Sequence, residues 1–233
     1  MRIHISDDPF RVLSEGRPFY KRHHWPCNWI RLPGRVQTPF VAAFRKRFEL
    51  TEKRAVRIHV SADERYELYI DGCRVGRGPE RGDVNNWYYE TYEFDLDAGA
   101  HTIISRVWAL GEIPVDALDL PRDLYGSSSA ATLMPCAQMS SRPGFILAPD
   151  DLSLVELIGT GSSAWDARQL DGYSFSNDGL GAQLTGARMS VDGQRFDFDW
   201  MESVEGWSPA AIDHPGVEDR KSTRLNSSHE SPS

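Results

Sequence analysis

From residue 41 onward, apolar and polar side chains alternate. In residues 55–63, AVRIHVSAD, Val56, Ile58, Val60 and Ala62 fall on one side of an extended strand and Arg57, His59 and Ser61 on the other. That period of two is the signature of a half-buried strand, apolar inward and polar outward. FRKRFEL (44–50) sets Phe44, Phe48 and Leu50 on one face, interrupted by Lys46. RYELYI (65–70) aligns Tyr66, Leu68 and Ile70, and WYYETYEFDL (87–96) aligns Tyr92, Phe94 and Leu96. HTIISRVWAL (101–110) is apolar on both faces, as a central strand is. RPGFILA (142–148) and LSLVELIGT (152–160) read as two further strands, and VDGQRFDFDW (191–200) carries Phe196, Phe198 and Trp200 in alternation.

Turn signals separate these runs. Asp71-Gly72 supplies the positive φ angles of a type I′ hairpin turn, DAGAH (97–101) marks the next reversal, and Asp192-Gly193 repeats the first signal. No segment carries a sustained 3.6-residue stripe. Short strands at spacings of about ten residues predict an all-β fold, an antiparallel sandwich of jelly-roll or galactose-binding-like type. Pro9, Pro18, Pro26, Pro33 and Pro39 punctuate the beginning, so residues 1–27 read as an extended arm. Residues 28–160 form the main sandwich, opening with a short strand in WPCNWI (25–30). Residues 161–218 add strands that complete it or start a second one. PRDLYGSSSAATL (121–133) reads as a long loop.

Composition narrows the function classes. The 233 residues include 40% hydrophobic and 26% charged side chains and seven Trp, an ordinary globular balance with a rich aromatic share. The formal net charge of −8 gives no field that attracts nucleic acid, and no basic block reverses it locally. No run of about 18 apolar residues is present, so no membrane partner is expected. The start, MRIHISDDPF, lacks the apolar stretch of a secretory leader, which makes the cytoplasm the default location. Cys27, Cys73 and Cys136 are odd in number and far apart, which favours free, mostly buried thiols over a disulfide framework or a zinc site.

The last residues change what can be asked of the chain. Asp219 to His229, DRKSTRLNSSH, is the in-frame translation of a widely used sequencing adapter, and the four residues after it fit a barcode and further adapter. Residues 219–233 are therefore read as non-native and disordered and are set aside from fold reasoning. The natural protein is then expected to continue past Glu218.

The stretch RYELYIDGCRVGRGPERGD (65–83) invites a ligand. Its glycines, Gly72, Gly76, Gly78 and Gly82, match neither phosphate-binding motif, and Pro79 and a further strand follow where those motifs need a helix. A tight turn and an exit bulge account for the glycines. Beside them stand Arg77, Arg81, Asp83, Trp87 and Tyr89, with Tyr88. Charged side chains for hydroxyls and rings for C–H faces are what a sugar-facing rim requires, while core burial of the rings and solvation of the arginines is the plainer account. Asp63-Glu64, Glu90, Glu93 and Asp95 offer the carboxylates a glycosidase needs, but read as a solvated face. His23-His24 point apart on extended chain and lack a third ligand, so neither metal nor cofactor is expected. GTGSSAW (159–165) is not a nucleophile elbow.

These residues resemble a family. FRKRFEL, SADERYELYIDGCRVGRGPERGD, WYYETYEFDL, DAGAHTI and RPGFIL are similar to the N-terminal β-sandwich of bacterial α-L-rhamnosidase-like proteins, glycoside hydrolase family 78. WPCNWI resembles the aromatic entry to that sandwich, with Arg31 replacing its third aromatic, and GWSPAAI (206–212) is similar to an element of galactose-binding-like sandwiches. Asp71 stands where the family more often has Asn, which the turn accepts equally. The resemblance implies that hydrolysis belongs to a helical (α/α)6 barrel C-terminal to the sandwich, so no catalytic residue carries over. It implies an accessory domain that assists recognition of rhamnose-containing glycans or braces the missing catalytic domain of the same chain, and a parent that is often exported.

Overall fold

The computed structural model describes residues 1–6, 8–15, 25–34, 36–80, 87–110, 143–176, 188–216 and 225–227. The alternating runs become β3 (Phe40–Leu50), β4 (Arg54–Asp63), β5 (Arg65–Ile70), β7 (Trp87–Leu96) and β8 (Gly99–Ala109). The remaining strands are β1 (Arg2–Ile3), β2 (Asn28–Arg31), β6 (Cys73–Gly78), β9 (Gly144–Pro149), β10 (Asp166–Leu170), β11 (Tyr173–Ser176), β12 (Arg188–Val191), β13 (Ser208–Pro209) and β14 (Ala211–Pro215). They build two facing antiparallel sheets, one in the order β1-β7-β4-β9-β2-β14, the other β13-β10-β3-β8-β5-β6, with β11 and β12 paired as a separate hairpin. The fold is an all-β sandwich. A strand at Leu225–Ser227 runs parallel to the start of β7 and lies in the segment read as adapter-derived.

The period of two explains the core. Val56, Ile58, Val60 and Ala62 of the first sheet meet Phe44, Phe48, Tyr66, Leu68, Ile103 and Val107 of the second, all buried. Phe145 is the centre: its ring stacks on Phe44 at 5.7 Å and tilts against Trp165 at 5.6 Å. HTIISRVWAL is apolar on both faces because both are covered. Ile103 and Val107 point into the core, whereas Ile104 packs with Val41, Ala43 and Trp200 on the outer side.

The outer faces depart from the alternation. Arg57, His59 and Ser61 read as the outward polar face, and they do point outward, yet His59 and Ser61 are fully buried. Phe10 and Trp25 from the N-terminal arm, with Tyr89, Ile146 and Val155, form a second apolar cluster over this side of the first sheet. Within the arm, β1 extends the first sheet and Arg11–Ser14 makes one helical turn, α1.

Two expected strands are not strands. LSLVELIGT forms a 3-10 turn over Leu152–Leu154 and a helical turn, α2 (Val155–Ile158). Asp151 Oδ1 accepts from Ser153 N at 2.9 Å, a local bond that starts the turn, and the helix then buries Val155 and Ile158. VDGQRFDFDW likewise leaves the sheet after Val191. Asp192 and Asp197 accept from the amides of Gln194 and Asp199 at 3.0 Å each, so the aspartates fold the segment into successive turns. Trp200 is buried, Phe196 half-buried and Phe198 exposed.

Two histidines respond to pH with opposite sign. His59 lies 3.0 Å from Thr91 Oγ1 and 3.4 Å from Asp150 Oδ1, under the edges of Phe10, Trp25 and Tyr89. Burial lowers its pKa below 6.5, outweighing Asp150, which pulls it up. The unfolded chain therefore binds the proton first, and stability held above about pH 6.5 is lost as pH falls toward the depressed folded value. His101 is raised by its hydrogen bond to Asp71 at 2.8 Å and by the Asp97 carbonyl, so its contribution is present at low pH and lost as pH rises through the folded value. The urea midpoint is expected to fall between about pH 7 and 5, more steeply in His101→Gln and less steeply in His59→Gln. An unchanged slope in His59→Gln contradicts this assignment.

Candidate functional site

The glycine-rich stretch resolves into a hairpin and a packing surface. Asp71 (φ 48°) and Gly72 (φ 76°) both occupy the left-handed region, as a type I′ turn demands. β5 and β6 pair from Ile70–Cys73 and Tyr69–Arg74, and then the register shifts to Leu68–Gly76, leaving Val75 as a bulge. Gly76 and Gly78 have a tertiary reason. A Cβ on Gly76 would stand 2.2 Å from Cε1 of Tyr92, and one on Gly78 would stand 2.6 Å from Cγ of Glu90 and 3.0 Å from the Tyr66 hydroxyl. The strand backbone is bare because Tyr92 and Glu90 from across the sandwich, and Tyr66 from the neighbouring strand β5, lie against it.

Those tyrosines are bonded to each other. Tyr66 and Tyr92 hydroxyls are 3.1 Å apart, and Tyr92 also donates to the Arg77 carbonyl at 3.4 Å. Burial pushes Tyr92 up to about 12 and raises Tyr66 as well, so both remain neutral phenols and neither serves as a base near neutral pH.

Acidic side chains collect at this end of the sandwich. Three that read as solvated, Asp63, Glu64 and Glu90, are buried. The physical reason is partnership. Glu64 Oε2 accepts from Leu110 N at 2.9 Å, and Glu90 Oε2 meets Arg2 Nε at 2.5 Å. Arg2, which also reaches Glu80 at 3.9 Å, is delivered by β1 from the far end of the chain. No local pattern advertises a partner 88 positions away in sequence. Glu93 does face outward, where Arg57 bonds it at 2.7 Å, and Asp95 is exposed. Glu64 and Glu90 bind backbone and arginine, which is structural work rather than an acid–base pair.

The rim residues separate. Arg77 is exposed on β6, the edge strand of the second sheet. Tyr89 is buried on the outer face of the first sheet, its ring 5.2 Å from Trp25. Trp87 begins β7; Arg81 and Asp83 lie outside the described residues, as do His23, His24, Cys136 and the loop at 121–133. Cys27 is buried and its thiol is pushed up to about 12, while Cys73 sits exposed after the turn. Among the described residues no three His, Cys, Asp or Glu side chains gather as metal ligands do, and no helix is long and apolar enough to cross a membrane.

The chain's folding pattern recurs in solved structures. The GH78-family rhamnosidase of Bacillus sp. GL1 aligns with 87% of this chain at a TM-score of 0.61 and 22% identity. The α-L-rhamnosidase of Dictyoglumus thermophilum aligns over 87% at 0.53 and 17% identity. The chain spans 20% and 22% of those proteins' lengths. At these identities the likeness is one of fold. No protein-family model and no curated protein sequence matches the chain.

Gly76→Ala drives a methyl group into the Tyr92 ring, and the ring is held by a hydroxyl pair that cannot retreat. The substitution is expected to cost about 1–3 kcal/mol, read as a lower urea midpoint at unchanged m-value. Gly76→Ala in a Tyr92→Leu background should recover part of that loss, and equal losses in both backgrounds would contradict the contact.

Proposed function

We propose that this chain is a non-catalytic accessory β-sandwich of a larger α-L-rhamnosidase-like glycoside hydrolase, and that it assists recognition of carbohydrate. The observation that carries the reading is the alignment of 87% of this chain with only 20% of a GH78-family rhamnosidase. The block at 63–96, where the sequence resemblance is most specific, contributes strands to both sheets and supports it. In this reading the parent carries its catalytic domain outside this chain, and residues 219–233 are adapter-derived.

In this reading the sugar-facing rim is carried by Arg77, Arg81, Asp83 and Trp87 around the β6–β7 connection. Tyr89 acts from beneath, locking the strand that bears Trp87 against Trp25. Arginine and aspartate exchange hydrogen bonds with hydroxyls, and the indole face takes the C–H side of the ring. The buried carboxylates stay with their structural partners and the chain performs no hydrolysis by itself.

A second reading, a sandwich that only braces the catalytic domain, is favoured by apolar side chains left in solvent, Val204 at 75% and Ile212 at 59% exposure. Calorimetric titration with a rhamnose-containing oligosaccharide separates the two. The accessory-recognition reading expects weak saturable binding, reduced about tenfold, or ~1.4 kcal/mol, by Trp87→Ala and less by Arg77→Ala. No saturable binding leaves the bracing role standing, and release of rhamnose from an aryl rhamnoside by this chain alone overturns both.

A further inference from the structure

A second polar concavity lies on the outer face of the second sheet. It is centred on β10, four strand positions from the β6 edge that bears Arg77, a separation of roughly 19 Å at about 4.8 Å per strand. The cleft has a volume of about 290 Å³ and is lined by Arg168, Asp171, Arg195, Phe196 and Asp197, with Gln169 at its margin. That is close to the lower end of the ~300–1,000 Å³ range of small-molecule sites, room for one ring rather than a chain.

Its walls are fixed before any ligand arrives. Arg168 Nη2 bonds Asp197 Oδ2 at 2.7 Å. Asp192 N donates to the Gly172 carbonyl at 2.8 Å, and Phe196 N and Arg195 N donate back to Asp192 O at 2.9 and 3.1 Å. Gly172 (φ +85°) and Gly206 (φ +76°) let the segments close. A Cβ on Gly172 would stand 2.8 Å from Phe196 N, and one on Gly206 would stand 3.0 Å from Arg168 Nε. Preorganised walls reduce the ordering cost of binding.

One further feature points to an occupant. Phe198, an aromatic ring 72% exposed, packs edge-on against the lining residue Phe196, their centroids 5.0 Å apart. An exposed ring flanking a polar cleft is the pairing of apolar face and hydrogen-bonding groups that a sugar ring presents in reverse. The two arginines and two aspartates balance in charge, which suits a neutral ligand over an anionic one.

We propose that this cleft binds a single neutral hexopyranose unit, its hydroxyls shared between Asp171 and the Arg168 and Arg195 guanidinium groups and its C–H face laid on Phe198. This rests on the reading that the sandwich serves carbohydrate recognition, and assigns it a second contact point independent of the β6–β7 rim.

The test is an amide-resolved NMR titration of the full chain with L-rhamnose, D-galactose, D-glucose and D-galacturonate in turn. At least one neutral sugar is expected to shift the Gly172, Phe196 and Gly206 amides saturably. Phe198→Ala and Asp171→Asn, both at exposed positions, should each weaken that response about tenfold, with amide dispersion reporting an intact fold. Trp87→Ala should leave it unchanged. Glycan binding that depends on Trp87 while these amides stay still overturns the cleft and spares the accessory reading. A response to galacturonate alone, or one indifferent to Phe198→Ala, overturns the proposal. Silence at both places overturns the cleft and the recognition reading together.

Discussion

Tyr66 of β5 and Tyr92 of β7 meet between the two sheets, their hydroxyls 3.1 Å apart, and the backbone of β6 lies directly against them. A buried phenol needs a hydrogen-bond partner: the Tyr66 hydroxyl reaches Val60 O and the Tyr92 hydroxyl reaches Arg77 O on strands of the facing sheet, and when one phenol donates to the other the second proton goes to a carbonyl. The pair therefore fixes how β5 and β7 sit across the core. It also dictates Gly76 and Gly78, because any side chain there would occupy the space of the rings. A stretch that looks like a loop for a phosphate is the imprint of this contact on the sequence.

A sandwich of two sheets has two outer faces, and here apolar side chains cover both. The arm lays Phe10 and Trp25 over the first sheet, and the segment around Trp200 and Trp207 covers the second. Arg45, 3% exposed, stacks its guanidinium 3.8 Å over the Trp207 ring and bonds Asp166, so even a charge on β3 is absorbed by that cover. The covered faces leave less surface for recognition. What is available is edges, the end of the sandwich at β6 and β7, and the seam where the cover meets β10. Both proposed carbohydrate contacts fall in those places.

The core strands were legible because burial of one face imposes a period of two, and the turns because positive φ at Asp71 and Gly72 narrows the residue choice. LSLVELIGT misled because four to eight apolar residues satisfy a buried strand and a buried helical turn alike, and a single Asp151 side-chain bond decides between them. The alternating phenylalanines at 196 and 198 misled for a related reason: aspartates that bond their own backbone outcompete a ladder with no free neighbour. In the candidate site, Arg77 on an edge and Trp87 at a strand start follow from the pattern, whereas the burial of Tyr89 does not.

The sequence by itself determined the central strands of the sandwich, which of their faces point inward, and where the first hairpin turns, since these depend on neighbours one to four residues apart. Tertiary structure alone decided which polar residues are buried and with whom. Glu90 is held by Arg2, Glu64 by the Leu110 amide, and His59 is roofed by Phe10 and Trp25. Each partner comes from a distant part of the chain, and the cost of desolvating a charge is offset only when the folded chain brings the two together.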